Sequence, residues 1–146
     1  MNSELSDLDY IAISRVVTEC VWRVDHGEGN TVYELYTDDG EIWFEGQQFS
    51  VGKAAIREWG NNRLDPSTIR HLVLNQRFVS DGPDRAVGTT VEVVFHSEKH
   101  NGADTTLPLM VGEMDWRFVR TAAGWRISRC DFRRIFDRRE VLEELF

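Results

Sequence analysis

A chain of 146 residues with 41% hydrophobic content is sized for one globular domain, spanning 1–146, that can bury a core of its own. Its formal charge of -8 argues against a nucleic-acid-binding surface, because such affinity comes from clustered Lys and Arg releasing counterions. The Arg pairs at 133–134 and 138–139 are interleaved with Asp131, Asp137, Glu140, Glu143 and Glu144, which reads as a solvated, ion-paired strand end. No apolar run approaches the roughly 18–20 residues of a membrane span, and the acidic start MNSELSDLD lacks the basic flank of a secretory signal. A cytoplasmic protein is expected, with Cys20 and Cys130 as buried thiols rather than parts of a CxxC motif or a disulfide framework.

The first element is a helix capped by Ser6-Asp7-Leu8-Asp9. Leu8, Ile11, Arg15, Thr18, Trp22 and Asp25 fall on one stripe of it, and Ile13, Val17, Val21 and Val24 on another. A helix apolar round so much of its girth should be largely enclosed, with Gly27 and Gly29 ending it. Asn30 caps a shorter helix to about Tyr36, and Thr37-Asp38-Asp39-Gly40 turns the chain. A short hairpin follows, 41–45 and 48–51 round Gly46-Gln47, then a helix over 52–62 with Ala55, Ile56 and Trp59 inside, broken by Asp65-Pro66-Ser67. Strands are predicted over 68–80 and 85–99, separated by Asp81-Gly82-Pro83-Asp84, with a polar turn over 99–105. Residues 107–135 form the longest hairpin, turning at Thr121-Ala122-Ala123-Gly124. Helices early and strands late imply an α+β domain: a cone-shaped, strongly curved antiparallel sheet wrapped around the first helix.

A cone of this kind has an open end where small molecules bind. Of the four histidines, His26 and His100 lie in polar loops, and His96 near a strand end has no assigned side. His71 differs, because it shares strand parity with Ile69, Val73 and Asn75. If it faces the helix, the candidate partner on the axis is Asp25, in the helix's last turn. A carboxylate on one ring nitrogen fixes the tautomer and leaves the other nitrogen as a general base. Spacing alone also permits, and more readily, Asp25 in solvent and His71 bonded to a backbone carbonyl.

Asp25, Leu35-Tyr36-Thr37-Asp38-Asp39-Gly40, Gly46, Gly52 with Ala55-Ile56, Arg70-His71 and Gly124-Trp125-Arg126-Ile127 together resemble the NTF2-like superfamily in its SnoaL-like branch, over about 6–136. The Asp25 and His71 placement is similar to the aspartate–histidine dyad of the scytalone dehydratase, bile-acid dehydratase and hexachlorocyclohexane dehydrochlorinase group. That resemblance implies a lyase or isomerase needing no cofactor and no metal, in which His71 removes a carbon-bound proton from a small hydrophobic, cyclic substrate. By matching positions the pocket would be lined by Trp22 (or Val21), Trp43, Met110, Met114 and Phe132, with Arg134 near the mouth. One departure concerns the leaving group. Where those enzymes carry a lysine or tyrosine five residues before the aspartate, this chain has Cys20, a poor hydrogen-bond donor. Ketosteroid isomerase fits worse, since its carboxylate base would fall near Phe44; limonene epoxide hydrolase needs an Arg-x-Asp that Val91-Glu92-Val93-Val94 does not supply.

The same fold also serves as a ligand-binding or subunit-assembly module, as in the β subunit of ring-hydroxylating oxygenases, so a non-catalytic reading stands beside the enzymatic one. Val87, Val91, Val93 and Phe95 share the parity of the convex sheet face and suggest a homodimer on either reading.

Overall fold

The computed structural model describes residues 3–63, 68–98 and 105–138. Helix α1 (Asp7–Asp25) is followed by a 3-10 helix (Gly29–Leu35), strands β1 (Tyr36–Phe44) and β2 (Gln47–Val51), helix α2 (Gly52–Asn61), and strands β3 (Thr68–Ser80), β4 (Arg85–Ser97), β5 (Met110–Thr121) and β6 (Gly124–Asp137). The six strands form one sheet in the order β2-β1-β6-β5-β4-β3. Neighbours are antiparallel except β1 and β6, which run parallel because the chain returns to β1 only after the whole β3–β6 meander. Among the described residues no helix is long and apolar enough to cross a membrane. The expected breaks at 65–67 and 99–104, and His100, lie outside the described residues.

Helix α1 is covered on one face rather than enclosed. Ile13, Val17 and Cys20 are buried against Phe78, Phe118, Ile127 and Cys130 of the sheet and Val32 and Leu35 of the 3-10 helix. The stripe through Leu8, Ile11 and Trp22 faces outward, at 81%, 47% and 44% exposure. Each residue advances about 100° round a helix, so residues two apart from the buried set point away from it. The helix ends as its glycines predict: Gly27 takes a positive φ of 76°, and the Glu28 amide bonds back to the Arg23 carbonyl at 2.8 Å.

Three other expectations change. The segment expected as a helix to Tyr36 is a 3-10 turn, and the Thr37–Gly40 turn signal is absorbed into strand β1. The pairing of β1 with β6 jumps from Tyr36↔Ile127 to Glu41↔Arg129, so residues 37–40 bulge out of the ladder, with Asp38 and Asp39 in solvent. On β3, Asn75 has a positive φ of 51° and the register with β4 shifts between Leu74 and Arg77. This bulge moves Asn75 off the inward face and turns Gln76 inward, where its carbonyl accepts from Tyr10 (2.7 Å) and its side chain from Ser14 (2.6 Å). Inward parity on β3 therefore runs Ile69, His71, Val73, then Gln76 and Phe78.

The N-terminal end of α1 is fixed by Asp9. The Ser6 hydroxyl accepts from the Asp9 amide, and the Asp9 carboxylate accepts from Arg120 through two nitrogens (2.8 and 2.9 Å) and from Trp125 Nε1 (2.9 Å). The Arg120 hydrogen bonds, with those of Trp125 and Ser6, hold the Asp9 carboxyl well below the usual carboxylate range. A depressed folded-state pKa stabilises the fold above the unfolded value of about 3.9 and stops doing so as pH falls through the folded value. Asp9→Ala should cost about 1–2 kcal/mol at neutral pH, the lower part of the range for a charged hydrogen bond because Arg120 is partly solvated. Urea titrations should find that deficit shrinking in strong acid; a deficit independent of pH would contradict the assignment.

Candidate active site

The C-terminal end of α1 and the start of β3 meet at one ion pair. Asp25 is the last residue of the helix, where the macrodipole disfavours a carboxylate, and its side chain is only 5% exposed. Its Oδ1 lies 2.5 Å from His71 Nδ1, and its Oδ2 accepts from the His71 backbone amide at 2.8 Å. Both carboxylate oxygens are thus held by one residue of the neighbouring strand. Arg70 completes the junction, its Nη1 donating to the Asp25 carbonyl at 3.0 Å, one of the carbonyls a helix end leaves without an internal partner. An Nδ1–H donated to a carboxylate leaves Nε2 as the ring nitrogen free to accept a proton.

The concave wall beside His71 is set by strand register. His71 pairs with Val94 and Val73 with Glu92, while Glu92 pairs on its other side with Gly112. Gly112 has a steric reason: a Cβ there would sit 2.3 Å from Phe132 Cζ, so the Phe132 ring lies against its bare backbone. Phe132 is buried and stacks on Phe44 with centroids 5.5 Å apart. Met114, paired with both Thr90 and Phe132, packs on the core, and Met110 lies half-buried on the same parity opposite Val94. Arg134 stands at the rim, its Nε 3.0 Å from Glu45 Oε1 and its guanidinium 5.5 Å from the Phe44 ring centre.

Two of the expected lining residues lie elsewhere. Trp22 is about 200° round the helix from buried Cys20, and it stacks on exposed His26 with centroids 4.1 Å apart; its alternative, Val21, is half-buried. Trp43 alternates with the inward Ile42 and Phe44 and so faces outward opposite Asp131. There Arg129 covers its ring at 3.8 Å and its Nε1 donates to Glu41. Phe44 occupies the concave side in its place.

Below the dyad the interior is polar. Cys20, Cys130 and Tyr36 are all buried, with the Tyr36 hydroxyl 3.2 Å from Cys130 Sγ. Burial, reinforced by Cys130, pushes the Cys20 thiol far above its ordinary range, and burial pushes Cys130 up to about 12, so both are neutral thiols. Glu92 belongs to this group and is missing from the sequence reading. It is 2% exposed, and its Oε1 has no hydrogen-bond partner. Burial pushes its carboxyl up to about 7, with His71 opposing and Asp25 reinforcing the shift. The signal was available: placing Val91, Val93 and Phe95 on the convex face puts Glu92 on the concave one.

Two surface clefts, of about 340 and 440 Å³, lie away from this site: one over Ser6, Asp9, Arg120 and Trp125, the other along the outer side of α1 from Ser14 to Glu19. The floor of the first is the Asp9 network, which already has a structural role.

The sequence matches the SnoaL-like domain family over residues 6–131, and the chain belongs to that family. No curated protein matches it. Among solved structures it is similar to a Mycobacterium tuberculosis protein of unknown function, at 23% identity and a TM-score of 0.77, covering 88% of this chain and 77% of that one. A Novosphingobium aromaticivorans protein provisionally named a scytalone dehydratase is similar at 14% identity and a TM-score of 0.75, covering 88% and 85%. A Catenulispora acidiphila protein in complex with S-DNPA is similar at 16% identity and a TM-score of 0.72, covering 86% and 92%. At these identities the structural likeness establishes the NTF2-like, cystatin-like fold alone.

Because a raised carboxyl pKa means that ionisation costs the folded state more than the unfolded one, Glu92 opposes folding increasingly as pH rises from about 4.5 to about 7, and fully above that. Glu92→Gln should therefore be more stable than the parent at alkaline pH, by roughly 3 kcal/mol, and the gain should vanish below about pH 4.5. Equal stability of the two proteins at all pH values would show that the carboxyl finds partners in solution.

Proposed function

We propose that the protein is a cofactor-independent lyase or isomerase in which His71 abstracts a carbon-bound proton from a small hydrophobic, cyclic substrate and Asp25 orients and stabilises the resulting imidazolium. The observation that carries this reading is the double engagement of Asp25 by the ring and the amide of His71. One contact fixes the tautomer and the other fixes the rotation of the carboxylate, so the ring cannot exchange its two nitrogens without losing a buried charge partner. Nε2 is the base on this account, and Met110, Met114, Phe44 and Phe132 supply the apolar surface that would hold a ring beside it. Family membership agrees with a small-molecule site, as does the ligand bound to the Catenulispora relative.

General-base catalysis of this kind contributes about 10²–10⁴-fold. His71→Gln should lower by that factor the rate at which the protein exchanges the α-hydrogens of cyclohexanone-type ketones for solvent deuterium, and Asp25→Asn should lower it by a smaller one. Exchange that survives His71→Gln undiminished would overturn the assignment.

The assembly reading has an observation of its own. Leu72 and Leu74, 41% and 45% exposed, sit on the convex face opposite Val93 and Val91, forming with them an apolar strip with no cover within the described chain. We infer a homodimer through this face, compatible with either function. Leu72→Glu should convert the protein to a monomer in sedimentation equilibrium; an unchanged mass, dimeric or monomeric, would reject this interface.

A further inference from the structure

Among the described residues, Glu92 Oε1 is the sole buried side-chain oxygen or nitrogen without a hydrogen-bond partner. Such an atom destabilises a fold, and nothing in the packing requires a glutamate here: its strand neighbours on the concave side are Thr90 and Val94, and the residue across from it on β5 is Gly112. Its position relative to the base is set by register. With His71 opposite Val94 and Val73 opposite Glu92, the two side chains are diagonal neighbours on one face of the β3–β4 ladder. That separation is about 7–8 Å between Cα atoms, within reach of two long side chains converging on one small molecule. The ionisable groups around the carboxyl are Asp25 and Cys20 of α1, His71 of β3 and Cys130 of β6. Both thiols are neutral and Cys20 is a poor donor, so the proton that a departing oxygen needs is not supplied from the helix position.

We propose that Glu92, as a neutral carboxylic acid, is a second catalytic group of this site, donating its proton to a hydroxyl leaving group as His71 removes the carbon-bound proton, so that the substrates are β-hydroxy carbonyl compounds rather than organic halides. The proposal rests on the assignment of His71 as base. His71 Nε2 takes the proton from the carbon next to the carbonyl, that electron pair forms the new C=C bond, the C–O bond breaks, and the Glu92 proton joins the departing oxygen to give water. The imidazolium proton then passes to the Glu92 carboxylate, directly or through one water, and restores both groups. A carboxyl kept neutral near pH 7 is suited to this task, and burial raises that of Glu92 in the required direction. A halide needs no proton to leave, so proton donation to the leaving group matters only when that group is an oxygen.

Two probes with a common product separate the roles: 3-hydroxycyclohexanone and 3-chlorocyclohexanone, each followed by the absorbance of cyclohexenone above the spontaneous rate. Glu92→Gln keeps the shape of the side chain but has no acidic proton. It should slow loss of water by about 10²–10⁴-fold, and chloride as leaving group should rescue it to within a few-fold of the parent. His71→Gln should slow both. Equal effects of Glu92→Gln on the two probes, or no effect on either, would overturn the role of Glu92 while leaving the base intact. Retention of both activities in His71→Gln would instead overturn the base, and a parent protein inert toward both probes would contradict the two assignments together. Infrared difference spectra give a reading independent of turnover: the parent should show a protonated-carboxyl band at pH 6 that Glu92→Gln lacks, and its absence would exclude the donor.

Discussion

A carboxylate buried at the C-terminal end of a helix is opposed twice, by desolvation and by the negative end of the helix dipole. Asp25 holds that position because His71 meets both of its oxygens, one through the ring and one through the main chain. Much of the architecture follows from keeping this contact. The α1 helix must stop at Asp25, which the left-handed Gly27 and the Glu28-to-Arg23 hydrogen bond accomplish. Strand β3 must face its early residues to the C-terminal end of the helix and its later ones to Tyr10 and Ser14 in the N-terminal half, and the bulge at Asn75 makes that change of course. At the far end of α1, the Asp9 network with Arg120 and Trp125 fixes the helix against the β5–β6 hairpin, so the helix is held at both ends by carboxylates.

Between these two anchors the interior changes character. Toward Asp9 it is an ordinary core of Ile13, Val17, Phe78, Phe118 and Ile127. Toward Asp25 the same helix face carries Cys20, and the sheet answers with Cys130, Glu92 and the Tyr36 hydroxyl. A core built only for stability would replace these polar groups with hydrocarbon, since burying them gains nothing unless each is paired. The unpaired oxygen of Glu92 lies at this end, beside the dyad, and local rules of packing tend to be broken where a site has been built.

Much of this was legible in the sequence, and where it was not the reasons are physical. Helix α1, the long hairpin with its Gly124 turn and the strand boundaries of β3 all follow from periodicity and turn chemistry. The pairing of Asp25 with His71 was available as one of two readings, because parity and position on the axis bring the residues together without deciding whether they touch. Trp43 was misplaced because its side depends on the parity of β1, and the Asp38-Asp39-Gly40 sequence that looks like a turn is instead a bulge within that strand. Trp22 was misplaced because an apolar residue on a helix does not reveal which stripe the sheet covers. Glu92 belongs to no chemical motif, and only the inward parity that its valine neighbours fix places it at the site.

Catalysis by His71 requires that Asp25 hold it in the tautomer that leaves Nε2 as the base. Nitrogen-15 NMR of the His71 ring measures this most directly, in the parent and in Asp25→Asn. The neutral ring of the parent should carry its proton on Nδ1 and have a bare Nε2, and this preference should weaken in the variant. A neutral ring protonated on Nε2, or a tautomer indifferent to the substitution, would contradict it.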